Sequence, residues 1–200
     1  MDDKRKTIIV NPKLTNSDFM KSVNLLVLGS AAVGKSNLSL RFTQNCFEEE
    51  YEPTIQNIFQ KAITLDRHTY QLDITDTAGM ETGDVMRPVL FKSADIFILV
   101  YDVCDKTTFE HIEGLHEDII RIRGLDAPVP CMILANKVDK VDEREVSTEE
   151  GQKAAKSMNA AYYETSAKTG QGVQEGFEQA VREFLKTRPQ EKTPKRCLLL

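Results

Sequence analysis

The run Gly29-Ser-Ala-Ala-Val-Gly34-Lys35-Ser36 constrains this 200-residue chain more than any other stretch. The apolar segment Val23-Asn24-Leu25-Leu26-Val27-Leu28 precedes it and reads as a buried strand. Asn37-Leu38-Ser39-Leu40-Arg41-Phe42 follows and reads as a helix. A Gly-x-x-x-x-Gly-Lys-Ser/Thr loop at a strand-to-helix turn cradles phosphates. Its glycines let the backbone turn sharply and aim N–H groups inward, and the helix start adds a partial positive charge at the same point. Lys35 supplies a full charge for the outer phosphates, and the Ser36 hydroxyl is a candidate Mg²⁺ ligand. The expected phosphate site is therefore Gly29, Ser30, Ala31, Ala32, Val33, Gly34, Lys35, Ser36 and Asn37.

A strand feeding such a loop belongs to an α/β sheet, and the rest of the chain agrees. Strands are expected at Asn24–Leu28, Ile58–Leu65, Tyr70–Asp76, Ile96–Asp102, Val129–Ala135 and Ala161–Thr165. Near-continuous apolar runs such as Ile96-Phe-Ile-Leu-Val-Tyr101 suit parallel strands covered on both faces. The short Asp66-Arg-His68 link predicts one antiparallel hairpin. Helices are expected at Ser36–Gln44, Thr107–Ile122, Ser147–Met158 and Val173–Thr187, the third opened by a Ser147/Glu150 capping box. Val173, Phe177, Ala180, Val181, Phe184 and Leu185 share one helical face and read as core packing. The alternation predicts a single P-loop NTPase domain over 23–187, a mostly parallel six-stranded sheet with helices on both faces. Residues 1–22 read as a polar N-terminal extension and 188–200 as a flexible tail.

Composition narrows the partners. A formal net charge of -5 argues against nucleic acid. Cys46, Cys104, Cys131 and Cys197 show no CxxC pair, which disfavours a disulfide framework or a zinc site and suits a reducing compartment. No apolar run reaches the length of a membrane span, the N-terminus lacks the apolar segment of a signal peptide, and Asp2 excludes N-myristoylation.

Three further motifs end strands, where an open α/β sheet forms its ligand crevice. Asp76-Thr77-Ala78-Gly79 ends the third: its Asp can hold a Mg²⁺ water and its Gly lets a backbone N–H reach a terminal phosphate. Asn136-Lys137-Val138-Asp139 ends the fifth, and Thr165-Ser166-Ala167-Lys168 the sixth. With these in this order, residues 23 to 185 and the last four residues resemble the Ras-type small GTPases, most closely the Ras/Rap branch. The resemblance implies GTP/GDP and Mg²⁺ as ligands. It assigns guanine to Asn136, Lys137, Asp139, Ser166, Ala167 and Lys168: the Asp139 carboxylate would accept from guanine N1–H and N2–H₂, and the Ala167 N–H would meet O6. Adenine offers no such donor pair. Phe47 matches the aromatic that packs against the base. Tyr51-Glu-Pro-Thr54 resembles the first switch, whose Thr54 would join Ser36 on Mg²⁺ with Asp76 behind them. Lys35, Thr54 and Gly79 are the expected catalytic groups. Exchange factors, GTPase-activating proteins and effectors are the implied partners, through the switches.

The chain departs from that pattern at informative points. Met80 stands where the family carries the Gln that orients the attacking water; a thioether has no donor and only a weak acceptor. Ala31 adds a methyl where an activator's arginine finger and the water meet. Gly83 replaces a usual Tyr, and Gln56 and Asn57 replace two acids of the effector loop. Slow intrinsic hydrolysis is therefore expected. The alternatives are a GTP-locked binding module with negligible turnover and, less well matched by Asn136–Asp139, an adenine-nucleotide kinase or ATPase.

Cys197-Leu-Leu-Leu200 matches a C-a-a-X ending whose final Leu points to geranylgeranylation. Five basic residues and a single acid lie between Lys186 and Arg196. One prenyl chain with a basic patch is sufficient for stable anchoring. The expected location is the cytoplasmic side of a cell membrane, held by Cys197 and the basic tail.

Overall fold

The computed structural model describes residues 21–50, 56–77, 87–124 and 129–188. Its strands are β1 (Lys21–Leu28), β2 (Gln56–Leu65), β3 (His68–Thr77), β4 (Ile96–Asp102), β5 (Cys131–Asn136) and β6 (Ala161–Thr165). Its helices are α1 (Lys35–Gln44), α2 (Arg87–Ser93), α3 (Lys106–Arg123), α4 (Thr148–Ser157) and α5 (Val173–Thr187), with a 3₁₀ turn at Val141–Glu143. The sheet order is β2-β3-β1-β4-β5-β6. Every pairing is parallel except β2 with β3, so the predicted mostly parallel six-stranded sheet is the one that forms.

The strand reading holds with shifted ends. β1 starts at Lys21 rather than Asn24 and takes in Lys21 and Ser22, which pair with Tyr70 and Gln71; their polarity hid them inside the expected extension. β5 starts at Cys131 rather than Val129. The hairpin turns on Asp66 and Arg67, both at positive φ (50° and 71°), the conformation a two-residue turn between twisted strands demands. Ser147 caps α4 as expected: its Oγ accepts from Glu150 N at 3.2 Å and Glu150 Oε2 accepts from Ser147 N at 2.9 Å. The short α2 and the 3₁₀ turn were not foreseen.

Alternation along β4 shows how the core divides. Ile96, Ile98 and Val100 face a cluster that includes Leu38 and Phe42 of α1 and Phe177, Val181 and Phe184 of α5. Phe97, Leu99 and Tyr101 face the opposite cluster, with Phe91 of α2, Ile112, Leu115 and Ile119 of α3, and Ala154 and Ala155 of α4. α1 is bolted to α5 by Phe42 and Phe177, whose rings stack with centroids 4.3 Å apart and planes 8° from parallel. Such a pair contributes about 0.5–1.5 kcal/mol beyond the area it buries. This packing matters to the site because α1 grows directly out of the phosphate loop.

Candidate nucleotide-binding site

β1, β3, β4, β5 and β6 run parallel, so their carboxyl ends lie along one edge of the sheet. The phosphate loop leaves β1 there. Gly29 sits at φ 148°, and a Cβ on it would lie 2.2 Å from the Val100 carbonyl oxygen of β4. Gly34 sits at φ 97°, and a Cβ there would lie 2.4 Å from Asn136 Nδ2. Both positions therefore exclude any side chain, by backbone conformation and by space. Ala32 takes φ 60°, which costs a β-carbon-bearing residue roughly 1–2 kcal/mol. Ala31 and Ala32 are exposed, whereas Val33 is buried in the core beneath α1 and α5. The Ser30 hydroxyl lies 2.8 Å from His111 Nδ1 of α3.

Lys35 opens α1 and is only 6% exposed. Its ammonium donates to the carbonyls of Gly29 (3.1 Å) and Ser30 (2.7 Å), so it lies back over its own loop. Burial lowers its pKa to about 8, against the opposing attraction of Asp76. Asp76 is fully buried at the end of β3. Its Oδ2 accepts from Ser36 Oγ at 2.6 Å, and its Oδ1 has no hydrogen-bond partner among the described residues. Burial pushes the Asp76 carboxyl upward, resisted by the Ser36 hydrogen bond and by Lys35. A buried carboxylate oxygen left unbonded costs about 1–3 kcal/mol or more. Ser36 and Asp76 thus fit a hydrated divalent cation, with one hydroxyl to ligate it and one spare carboxylate oxygen for its water. Thr77 closes the strand end by donating to the Val27 carbonyl at 2.9 Å.

Asn136 ends β5 and ties three segments together while almost fully buried. Its Nδ2 donates to the Val33 carbonyl at 2.8 Å. Its Oδ1 accepts from Ala167 N at 3.1 Å and Thr165 Oγ1 at 3.3 Å. Lys137 takes φ 70°, and its ammonium pairs with Asp102 Oδ2 at 2.6 Å. Asp139 Oδ1 accepts from the buried Ser166 hydroxyl at 2.5 Å. That bond aims the carboxylate and uses one lone pair of Oδ1, leaving the rest of the carboxylate free to accept. Lys168 is exposed.

The remaining expected residues divide in two. Phe47 packs half-buried against the α1/α5 side of the core. The Asn37 side chain is committed to Glu48, whose N–H it accepts at 2.8 Å and whose carbonyl it donates to at 2.9 Å. Asn37 therefore offers phosphate only its first-turn N–H. Tyr51, Thr54, Gly79, Met80, Gly83 and Cys197 lie outside the described residues.

Two residues of this site went unforeseen. Asp102 reads as the last residue of a core strand, and nothing local marks it as the partner of Lys137. Arg41 of α1 reads as an ordinary surface cation, yet it donates to the Ala167 carbonyl (2.9 Å) and the Lys168 carbonyl (2.7 Å).

Comparison with known proteins agrees with this geometry. Residues 24–186 match the Ras family. The chain is 42% identical over 163 residues to the Ras-like protein rasB of Dictyostelium discoideum, an alignment covering 82% of each chain. It is 40% identical over 165 residues to the Ras-like protein rasC of the same organism, covering 82% of this chain and 87% of that one.

Proposed function

The chain belongs to the Ras family of GTP-binding switches, and we propose that it is a lipid-anchored member with slow intrinsic hydrolysis. The loop amides from Gly29 to Ser36 and the Lys35 ammonium hold the phosphates. Ser36 and Thr54 would hold Mg²⁺, with Asp76 behind them, and the ion would screen the charge that builds on the outer phosphates. The Gly79 N–H senses the terminal phosphate. Asp139 and the Ala167 amide read guanine, Phe47 packs on it, and Lys137 lies beside it, fixed by Asp102.

The observation that carries this reading is the double attachment of Asn136. One side chain bonds both the phosphate loop at Val33 and the Ala167 amide, so the phosphate cradle and the base loop are built as one site. Asp139, three residues on and held by Ser166, keeps acceptor positions on its carboxylate for both guanine donors.

Slow turnover rests on Met80, which has no N–H or O–H with which to orient water. It separates a timed switch from a GTP-locked module. Membrane anchoring rests on Cys197 and the basic residues before it; the C-a-a-X motif is a prenylation substrate only as a free carboxyl terminus. Regulators and effectors would meet the switch segments around Thr54 and Gly79. The effector-loop positions Gln56 and Asn57 carry no charge, so partner choice there rests on shape and hydrogen bonding.

Competition binding of GDP, GTP and ATP to the purified chain, with and without Asp139→Ala, tests the reading. Strong preference for guanine is expected, falling by about 2–4 kcal/mol in the variant for two charge-assisted bonds. Equal affinities for GTP and ATP in the unmutated protein would end it.

A further inference from the structure

Arg41 links the helix that follows the phosphate loop to the Ser166–Lys168 segment. It lies in the last turn of α1, and all three of its nitrogens are engaged. Nε donates to the Ala167 carbonyl at 2.9 Å and Nη2 to the Lys168 carbonyl at 2.7 Å. Nη1 donates to the carbonyl of Asn45 at 3.0 Å and to its Oδ1 at 3.2 Å. Asn45 is itself the α1 C-cap, at φ 55°, with its N–H bonded to the Arg41 carbonyl at 3.0 Å. The guanidinium is thus held by the helix end on one side and grips two successive carbonyls of the Ser166–Lys168 segment on the other. A planar fork suits this task, because its parallel N–H groups match two acceptors at once.

We propose that Arg41 is a positioning residue for base recognition, acting through the Ala167 amide. The proposal rests on the reading above in which that amide meets the purine O6. A peptide unit is planar, so two gripped carbonyls fix two consecutive peptide planes. Ala167 is then held from both sides: its N–H by Asn136 Oδ1 at 3.1 Å and its carbonyl by Arg41. Those two planes follow Ala167, whose own N–H lies in the preceding plane on Asn136 Oδ1; a residue held on both sides has only to share that N–H with the purine O6, and the ordering saved on binding appears as affinity. Arg41 also makes the base loop move with α1, whose first residue is Lys35. The resulting closed circuit runs from the phosphate loop through α1 and Arg41 to Ala167, and back through Asn136 to Val33.

The test uses the purified full chain and three diphosphates: GDP, ADP and 6-thioguanosine diphosphate. The thio probe keeps the N1–H and N2 amino groups that face Asp139 and replaces O6 with a poorer acceptor. The unmutated protein should prefer GDP over the thio probe. Arg41→Gln should weaken GDP about tenfold, equivalent to about 1.4 kcal/mol, and shrink the preference over the thio probe towards one. Arg41→Lys, which can serve one carbonyl but not both, should lie between. Equal weakening of GDP and the thio probe would reduce Arg41 to a general structural role and overturn the proposal. So would unchanged GDP affinity in Arg41→Gln, or a full preference retained in Arg41→Lys should the Gln variant fail to fold. Failure of the guanine reading itself shows separately, as unmutated protein that binds ADP as well as GDP.

Discussion

Asn136 Nδ2 lies 2.8 Å from the carbonyl oxygen of Val33, 103 positions earlier in the chain. This hydrogen bond joins the loop after β1 to the end of β5, across the intervening strand β4. It explains why Gly34 admits no side chain: a Cβ there would meet the same amide at 2.4 Å.

Asn136→Ala removes that bond and also those from Ala167 N and Thr165 Oγ1, leaving buried partners unsatisfied. A stability loss of about 2–4 kcal/mol is expected, by the cost of unpaired buried polar groups. Denaturant midpoints for the two proteins check it. A loss below about 0.5 kcal/mol would mean that water replaces the amide.

Under the proposed function, the buried Lys35 should make nucleotide affinity depend on pH. Its pKa of about 8 reflects desolvation, and phosphates beside it favour the charged form and raise that value. Below about pH 8 the side chain is already protonated and affinity should be flat. Above it, binding must take up a proton, so affinity should fall by up to about tenfold per unit. GDP titrations between about pH 7 and 9.5 read this directly, and a flat profile would show that Lys35 stays charged without its ligand.

Met80→Gln restores a side chain able both to accept from and donate to water. Single-turnover hydrolysis of preloaded GTP should rise about tenfold or more, a barrier change of at least about 1.4 kcal/mol, with Ala31 limiting the full gain. Fast hydrolysis in the unmutated protein, unchanged by the substitution, would show that another residue orients the water.

Cys197→Ser should shift the protein from membrane to supernatant on cell fractionation. Neutralising Lys192, Lys195 and Arg196 should weaken attachment by about 1 kcal/mol per charge at an anionic surface, and lower its salt sensitivity. A Cys197→Ser protein that stays with the membranes would dismiss the prenyl anchor.

The parts legible in the sequence were those whose cause is local. β4 and β5 declare themselves as unbroken apolar runs because both faces are covered, and α5 as a stripe at helical spacing. Asp76, Asn136 and Ser166 were found because each belongs to a short motif at a strand end. α2 was missed because its seven residues bury only Arg87 and Phe91, too few to make a period. Arg41 was missed for a different reason: its acceptors are backbone carbonyls 126 and 127 positions away. Carbonyls carry no residue identity, so no side-chain pattern announces them.

The strand order has a consequence for how such a chain can change. Asp76 and the edge strand β2 lie on one flank of β1, whereas Asn136, Asp139 and Ser166 belong to the other flank, beyond β4. Among the departures from the family pattern, Gln56 and Asn57 lie in β2 of the first flank, whereas the Asn136–Asp139 and Thr165–Lys168 motifs of the second keep the residues that the resemblance assigns to guanine. Under the proposed function, the effector-facing strand and the alphabet of the switch thus sit in separate halves of one sheet. A lineage with that function can change who listens to the first half without altering which letter the second half reads.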